Sequence, residues 1–593
     1  MSSTSSARVL SPKRNTTDAQ DISQLVAEQL QHFGIDADTD YGKALGSVAN
    51  NLYHAQDNLS QLWEITQQTL ASLPKSDRIA YFNAKKFLSF QLAKLLDNLQ
   101  NPFRATYQSL NNKTQGTHHY PLFDNVTALF SATPVVVRTA TYVYACTEWV
   151  DDAFQGKEFT HQIYSRLLNP TNISLANAIV DMEAGEHSAN YLAWNYNSGM
   201  AAIDGLLSNV LHHGDILIVS RNVYGGVYQL LHDYMARKNR LDIQLVWFDG
   251  YSAQDFDKCM ATMKAEYADR IAKGAKWHVY MESPCNPHGY VLDVPEITRM
   301  AHAENALVML DSTLATPVLH KPLQHKDPSA RPDYIVHSYT KDICGSGATT
   351  AGVVIGEAHR MFQPKGTSMK GVDWSETMFW DVYYIKGAFL DSEKAFDVLN
   401  GMKTLPQRMV SKVINTRVFT AFLHSHPAFR VNSHAIPTHE NTGLVEKQHV
   451  HGWPSALFTV DMANVDIGRQ AFTQFFDALE PAFGHQVSIG QTNTIILCPA
   501  LTSHSELSRE EQQRAGIELT TMRIAMGTDD VKNLMAHFML TAKIHIDPVS
   551  PGFSDQFMKA EEVDDLYARV HEQVHQQLVS QQPSMSDYLS GNH

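Results

Sequence analysis

The chain has 593 residues, of which 62 are acidic and 47 are basic, giving a formal net charge of −15. A hydrophobic content of 44% and a charged content of 18% exclude a disordered chain, and the length is too great for one ordinary domain. The negative charge argues against a nucleic-acid-binding protein, which needs clustered positive charge.

The cysteines and the start of the chain indicate where the protein is located, and the histidines indicate whether it binds a metal. Five scattered cysteines include no C-x-x-C pair, so we expect no disulfide framework and a reduced, cytoplasmic location. The 29 histidines lack the spacing of a metal site, and no metal is predicted. The first residues have no apolar core and no run of about 18 apolar residues occurs, so we expect neither a signal peptide nor membrane association.

The first part of the chain predicts a tail followed by helices. Residues 1–20 are rich in serine and threonine and predict a disordered tail. Residues 21–117 predict a helical extension: in "DISQLVAEQLQHFGI", Asp21 is a helix cap, and Ile22 and Leu30 lie on one apolar stripe. No catalytic motif occurs here, so we interpret the extension as a docking or oligomerisation segment.

From residue 118 to residue 430, short apolar strands alternate with helices. The predicted strands include "ILIVS" (216–220), "IQLVWF" (243–248), "KWHVYME" (276–282) and "ALVMLD" (306–311). Such strands indicate a large α/β domain whose mostly parallel sheet is covered on both faces. Residues 431–545 predict a smaller α/β domain, and residues 546–593 predict a helix and a polar tail.

One stretch of the large domain, "DYIVHSYTKDICGSGATTAGVVIG" (333–356), places Lys341 at the end of a buried strand. Burial lowers the pKa of such a lysine and makes it a usable nucleophile, and the neighbouring hydroxyls and glycines suit a phosphate group. Asp311 ends another apolar strand, at the sheet edge where ligands bind in α/β folds. A lysine, a phosphate cradle and an aspartate facing a protonated pyridine nitrogen are the arrangement that binds pyridoxal 5'-phosphate (PLP).

Further segments follow in a fixed order: "YSRLLNPT" (164–171), "SGMAAI" (198–203), "VYGGVY" (223–228), "ESPCNPHGYVLDV" (282–294), "LDSTLATPVLHKPL" (310–323), "HSYTK" (337–341), "GMKTLPQRM" (401–409), "SIGQTNTII" (488–496) and "MRIAMGTDD" (522–530). In these segments the chain resembles the Cys/Met-metabolism (trans-sulfuration) family of PLP-dependent enzymes. The family includes cystathionine γ-synthase, cystathionine γ- and β-lyases, methionine γ-lyase and O-acetylhomoserine sulfhydrylase. The resemblance covers about two-thirds of the chain.

The resemblance implies a fold and a set of cofactor contacts. The fold is that of a fold-type-I PLP enzyme: an aspartate-aminotransferase-like large domain with a mostly parallel seven-stranded sheet and a smaller C-terminal α/β domain, here preceded by the helical extension. The implied contacts are Tyr164 and Arg166 to the phosphate of a neighbouring subunit, Ser198, Gly199 and Met200 at a helix amino-terminus beside the phosphate, Tyr224 stacked on the ring and acting as acid or base, Asn286 at the phenolic oxygen, Asp311 at the pyridine nitrogen, Ser338 and Thr340 at the phosphate, and Lys341 as the Schiff base.

On the substrate side the resemblance assigns the carboxylate to Arg523 and places Ser488 and Asn493 nearby. Here the chain departs from the family pattern. The sequence "GSGAT" after the lysine replaces the usual G-H-x-D, and Asn493 replaces a glutamate of several γ-specific members. Further replacements are at Ala176, Val227 and Ala525. The identity of the substrate therefore stays open.

The expected function is γ-elimination or γ-replacement on an amino acid derived from homoserine, cysteine or methionine. The alternatives are a β-lyase, a carbon-bond-forming γ-replacement, or a PLP-binding regulatory subunit with the helical extension as its interaction module. The expected partners are a small amino-acid substrate and further copies of the chain, as a dimer with shared active sites that assembles into a tetramer.

Overall fold

The structure is a computed structural model that describes residues 21–73, 78–109, 131–142, 147–156, 163–462, 464–502, 510, 516–580, 582 and 584–586. The predicted tail, 1–20, lies outside these residues, as does residue 117, the predicted end of the extension. The described residues fall into two compact units: the first comprises residues 21–135 together with residues 582 and 584–586, and the second comprises residues 136–580. Among these residues, no helix combines the length and the apolar content needed to cross a bilayer.

The first unit contains three helices: α1 (Ile22–His32), α2 (Asp40–Ser72) and α3 (Arg78–Ser109). The Asp21 side chain accepts a hydrogen bond from the backbone amide of Gln24 and caps α1, as predicted. Val26 and Leu30 of α1 are buried, and Gly46 of α2 lies beneath them. The prediction of a helical segment is confirmed for the described residues.

A seven-stranded sheet forms the centre of the second unit. Its strands are β1 (Tyr191–Tyr196), β2 (Ile216–Ser220), β3 (Gln244–Phe248), β4 (Trp277–Glu282), β5 (Val308–Asp311), β6 (Tyr334–His337) and β7 (Gly352–Glu357). They are ordered β1-β7-β6-β5-β4-β2-β3. Six of the strands run in one direction, and β7 runs in the opposite direction. The mostly parallel seven-stranded sheet is confirmed.

Helices cover both faces of this sheet, which explains why its strands are apolar at successive positions. On β2, Ile216 and Ile218 belong to the core on one face, while Leu217 and Val219 belong to the core on the other. The helices of this part are α4 (Thr147–Phe154), α5 (Pro170–Ala184), α6 (Gly199–Val210), α7 (Gly225–Gln229), α8 (Ala253–Glu266), α9 (Ala268–Ala272), α10 (Val294–Ala303), α11 (Thr316–Leu319), α12 (Ala358–Met361), α13 (Tyr384–Lys386), α14 (Ser392–Met402) and α15 (Leu405–His424).

The rest of the second unit is built on a five-stranded sheet. A small hairpin, β8 (Ser368–Met369) and β9 (Val372–Asp373), precedes it in the chain. Its strands, ordered β10-β11-β14-β13-β12, are β10 (Arg430–Asn432), β11 (Leu457–Asp461), β12 (Gly484–His485), β13 (Ile495–Leu497) and β14 (Met522–Ala525). Its helices are α16 (Thr442–Gln448), α17 (Gly468–Asp477), α18 (Val531–His545) and α19 (Ala560–Ser580). The predicted domain boundaries stay a prediction.

The two sheets determine where a site can form. Glu282, Asp311 and His337 end three adjacent parallel strands, so their side chains meet at the carboxyl edge of the large sheet. Arg523 lies on β14 of the small sheet, and it reaches Asn286, which follows β4, with a hydrogen bond of 3.0 Å. The site therefore lies where the two sheets face each other.

Candidate active site

Lys341 follows β6 by four residues and turns toward the small sheet. Its Nζ donates a hydrogen bond to Ser488 Oγ at 3.1 Å. Its pKa is lowered to about 8, chiefly by burial and then by the positive charge of Arg523, while the negative charge of Asp342 opposes both effects. A lysine with this pKa is partly neutral near pH 7 and can serve as a nucleophile or a base.

The amino-terminus of α6 forms a narrow cradle against the turn that carries Lys341. The Ser198 side chain caps the helix by accepting from the Ala201 amide, and the Gly199 and Met200 amides have no acceptor within the helix because they begin it. A Cβ at Gly199 would lie 2.7 Å from Cβ of Ser338 and 2.8 Å from its Oγ. Free helix amides beside a hydroxyl suit an oxyanion, so this part of the site fits the phosphate of PLP.

Thr340 makes contacts that differ from its assigned role. Its hydroxyl donates to the Ala351 carbonyl at 3.2 Å and accepts from the Ala351 amide at 3.0 Å. The hydroxyl proton of Thr340 is therefore used in a hydrogen bond to Ala351, the residue before β7. The assignment of Thr340 to the phosphate stays a prediction.

Two carboxylates, Glu282 and Asp311, are buried side by side at paired positions of β4 and β5. Burial raises the pKa of both, and the charge of Asp311 raises that of Glu282 further. Asp311 Oδ1 accepts from the Thr313 amide at 3.0 Å. Without a nearby cation such a pair is costly, so the site fits a protonated pyridine nitrogen facing Asp311.

The motif comparison gave Glu282 no role, although the structure places it at the centre of the site. Its Oε2 accepts from the Tyr224 amide at 2.7 Å, and its Oε1 accepts from the Asn286 amide at 3.0 Å. It thereby fixes two residues predicted to contact the cofactor. The sequence held a usable signal, because Glu282 ends its strand at the same sheet edge as Asp311.

Tyr224 and Met200 share one side of the site. The Tyr224 ring folds over Gly226, where a Cβ would lie 2.8 Å from the ring and 3.2 Å from the Met200 sulfur. The Tyr224 side chain is 47% exposed, so the ring is open to a stacking partner. The geometry is compatible with the predicted stacking role.

Arg523 is held on the substrate side by two hydrogen bonds. Its Nη1 donates to Asn286 Oδ1 at 3.0 Å, and its Nη2 donates to the Ser488 carbonyl at 2.8 Å. Its Nε is buried and has no partner among the described residues, and burial lowers its pKa to about 10. A buried guanidinium with an unpaired donor and no carboxylate partner suits a bound carboxylate.

Three predicted residues lie apart from these contacts. Arg166 Nη1 donates to the Tyr384 carbonyl at 2.7 Å, and its guanidinium stands 5.5 Å from the ring centre of Tyr164, which is 41% exposed. The Asn493 amide nitrogen lies against Gly484 of β12. The structure does not join these side chains to the contacts of Lys341, and their roles stay predictions.

A buried pair behind the cofactor positions was also absent from the sequence reasoning. His337 Nε2 lies 2.6 Å from Glu183 Oε1, and both side chains are fully buried. The charge of His337 acts against the rise in the pKa of Asp311. Glu183 lies on α5 and is distant in sequence, so no local pattern indicated the pair.

The close approach of Gly199 to Ser338 gives an expected result. In Gly199→Ala the new methyl group would overlap Ser338, so the helix end must move away and the cofactor should bind at least about tenfold more weakly. Fluorescence titration of the cofactor-free protein measures this affinity. Gly443→Ala in α16 is the matched control, because a Cβ there meets no atom within 4 Å; equal affinities of the two variants would contradict the cradle.

Comparison with known proteins agrees with this geometry. The model of a family described as Cys/Met metabolism PLP-dependent enzymes matches residues 115–541. The L-methionine γ-lyase of Fusobacterium nucleatum subsp. polymorphum is 29% identical over 403 residues, covering 68% of this chain and 91% of that protein. The O-succinylhomoserine sulfhydrylase of Pseudomonas aeruginosa is 29% identical over 422 residues, covering 71% of this chain and 91% of that protein.

Solved structures share the fold. Cystathionine γ-synthase from Xanthomonas oryzae pv. oryzae aligns with a TM-score of 0.57 at 24% identity, covering 71% of this chain and 96% of that chain. Cystathionine γ-lyase from Lactobacillus plantarum aligns with a TM-score of 0.57 at 21% identity, covering 71% of this chain and 95% of that chain. The two-sheet architecture is therefore that of fold-type-I PLP enzymes.

Proposed function

Because the chain belongs to the Cys/Met metabolism family of PLP-dependent enzymes, we propose that it catalyses γ-elimination or γ-replacement on a sulfur-containing or O-acylated amino acid. The family is of the trans-sulfuration type and acts on small amino acids. The observation that carries the proposal is that Lys341, with its lowered pKa, and Arg523, with its unpaired buried donor, both bond to Ser488, one to its hydroxyl and the other to its carbonyl.

In this proposal each residue has a separate task. PLP, when bound, supplies a sink for the electron pair that remains when a bond at the substrate Cα breaks. Lys341 Nζ would take the proton from Cα and pass it on to the cofactor; for a γ-substituted substrate, the amine freed in this way would then remove a proton from Cβ, and the γ-substituent would leave with its bonding electron pair. Asp311 keeps the ring nitrogen protonated by paired charge, and Arg523 holds the carboxylate so that the Cα–H bond faces Lys341.

Glu282 supports this arrangement without touching the substrate. Glu282 accepts hydrogen bonds from the backbone amides of Tyr224 and Asn286. It thereby fixes the Tyr224 ring on one side of the cofactor and the Asn286 side-chain amide, which accepts a hydrogen bond from Arg523. Both positions depend on one buried carboxylate. Such preorganisation lowers the reorganisation needed during the reaction.

The test is a screen of cystathionine, methionine, cysteine and O-acyl homoserines, with and without a thiol, measuring 2-oxo acids and released thiols. The proposal expects 2-oxobutyrate or a new thioether from a four-carbon substrate. Pyruvate as the sole keto product would replace it with a β-lyase. Bound PLP without exchange of any α-proton in heavy water would replace it with a regulatory subunit.

We propose that the active unit is a homodimer with shared sites, within a tetramer, because the contacts that Arg166 makes among the described residues, with the Tyr384 carbonyl and the Tyr164 ring, do not include Lys341. Co-expression of Arg166→Ala with Lys341→Met should then restore about a quarter of the wild-type activity, since half of randomly paired dimers hold one complete site. The control pair is Arg523→Met with Lys341→Met, which damages both sites of a mixed dimer. Equal activity of the two mixtures would overturn site sharing.

We also propose a cytoplasmic location. The cysteines among the described residues, Cys259, Cys285, Cys344 and Cys498, form no disulfide with one another, which supports a reducing compartment. Fractionation of the source cells tests this, and recovery of the protein outside the cytoplasm would overturn it.

A further inference from the structure

A buried ion pair lies directly beside the reactive lysine. Lys412 of α15 places its Nζ 2.6 Å from Asp342 Oδ1, and the two side chains are 1% and 3% exposed. Burying two charges costs solvation free energy that their attraction often only balances, so such a pair is a weak argument for stability alone. Its position next to Lys341 points to another role.

Lys412 also reaches the substrate side of the site. Its Nζ donates to the Gln491 carbonyl at 2.6 Å, so one ammonium group joins the turn after Lys341 to the segment Ser488–Gln491. At the other end of that segment, Arg523 Nη2 donates to the Ser488 carbonyl. The segment is therefore fixed between two buried cations.

The segment approaches the lysine too closely for any side chain between them. A Cβ at Gly490 would lie 2.7 Å from the Asp342 amide nitrogen and 2.8 Å from Lys341 Cβ. Arg408 holds the lysine side of this contact by donating to the Asp342 carbonyl at 2.6 Å. A small displacement of the segment would move Ser488, whose carbonyl accepts the hydrogen bond from Arg523.

We propose that Lys412 is a positioning residue, which docks the segment Ser488–Gln491 onto Asp342 and so fixes Ser488 and Arg523 for the substrate carboxylate. The part of this inference that concerns the carboxylate rests on the proposed function. The docking itself does not, because it joins residues of the chain to one another.

The charges around Lys341 give a second consequence. Its charged neighbours are Asp342 of its own turn and Arg523 of β14, and both Lys412 and Arg408 of α15 contact Asp342. Asp342 favours the protonated lysine, and Lys412 offsets that effect. Removing Lys412 alone should raise the pH at which Lys341 loses its proton, and removing both charges of the pair should lower it.

The test compares Lys412→Met with the double variant Asp342→Asn/Lys412→Met. The single variant leaves a buried carboxylate without its ammonium partner and should lower the melting temperature of the cofactor-free protein by roughly 4 °C. The double variant removes both charges and should regain most of that loss. Lys403→Met is the matched control, because Lys403 is exposed and its ammonium group bonds to Asn400, three residues earlier in the chain.

Two further measurements separate positioning from stability. Amides of residues 488–492 should exchange with deuterium about tenfold faster in the double variant than in the wild type, in the PLP-bound protein. The KM for the best substrate should rise about tenfold while kcat changes little. A double variant with wild-type exchange in this segment would overturn the inference.

The exchange experiment also separates this inference from the proposed function. If the wild type converts no amino acid, the proposed function fails, and the exchange of residues 488–492 still decides whether Lys412 docks the segment. If the wild type is active and the double variant keeps its KM, the docking has no role in binding the carboxylate and the inference fails alone.

Discussion

Lys341→Met is expected to abolish turnover and the dialysis-resistant binding of PLP. The methionine keeps most of the side-chain volume but removes the amine that contacts Ser488, and with it both the nucleophile and the base. The loss in kcat should be at least about 10³-fold. The measurements are the steady-state rate and the absorbance of the cofactor band after exhaustive dialysis.

The same variant is expected to be more stable than the wild type at pH 7 in the absence of PLP. The pKa of Lys341 is about 8 in the folded chain against an ordinary 10.5, so folding at neutral pH forces a charge into a site that disfavours it. The full difference corresponds to roughly 3 kcal/mol. The cost is fully present below pH 8 and disappears by about pH 10.5, so the advantage of the variant should fade over that range.

Lys403→Met is the control for both measurements, because its side chain is exposed. A Lys341→Met enzyme that retains PLP through dialysis and keeps a tenth of the activity would contradict the assignment of the reactive lysine. A stability advantage that does not change between pH 7 and pH 10.5 would show that the lysine is protonated equally in the folded and unfolded chains.

Arg523→Lys is expected to lower kcat/KM about 100-fold for every amino-acid substrate. Lysine keeps the charge but cannot donate at once to Asn286, to the Ser488 carbonyl and to a carboxylate. Losing a charge-assisted bond in a buried site costs about 3 kcal/mol, which gives this factor. The effect should appear mainly in KM, because the carboxylate is bound before and during the reaction.

Arg430→Lys is the matched control for Arg523→Lys. Arg430 lies on β10 of the same sheet and pairs with Asp461, but its side chain is largely exposed, where Arg and Lys serve almost equally. If Arg523→Lys changed kcat/KM no more than this control does, the substrate carboxylate would have to bind elsewhere.

The parallel part of the large sheet could be predicted from sequence because its strands are mainly apolar at successive positions. A strand that is covered by helices on both faces needs apolar side chains at successive positions. The predicted strand "ILIVS" coincides with β2 from end to end. Lys341 and Asp311 could be predicted for a related reason. Each follows or ends such a strand, so its position at the carboxyl edge is determined by the chain direction.

The contacts that hold the site together could not be predicted in this way. Lys412 meets Asp342 across 70 residues, and His337 meets Glu183 across 154, and neither pair leaves a periodic pattern.

Thr340 shows a further limit. A hydroxyl in a phosphate-binding motif is also a good partner for a neighbouring backbone, and only the positions of atoms show that Ala351 is its partner.

Because the carboxylates Glu282 and Asp311 are buried side by side, we expect the amount of this protein in the cell to depend on the supply of vitamin B6. A newly made chain that has not met PLP bears the full cost of two buried acids, and each chain that binds the cofactor is removed from the unfolding equilibrium. During vitamin starvation, proteases should therefore clear the cofactor-free chains faster, which a pulse-chase measurement of half-life would show; an unchanged half-life would count against this hypothesis. The vitamin would then set the number of enzyme molecules as well as their activity.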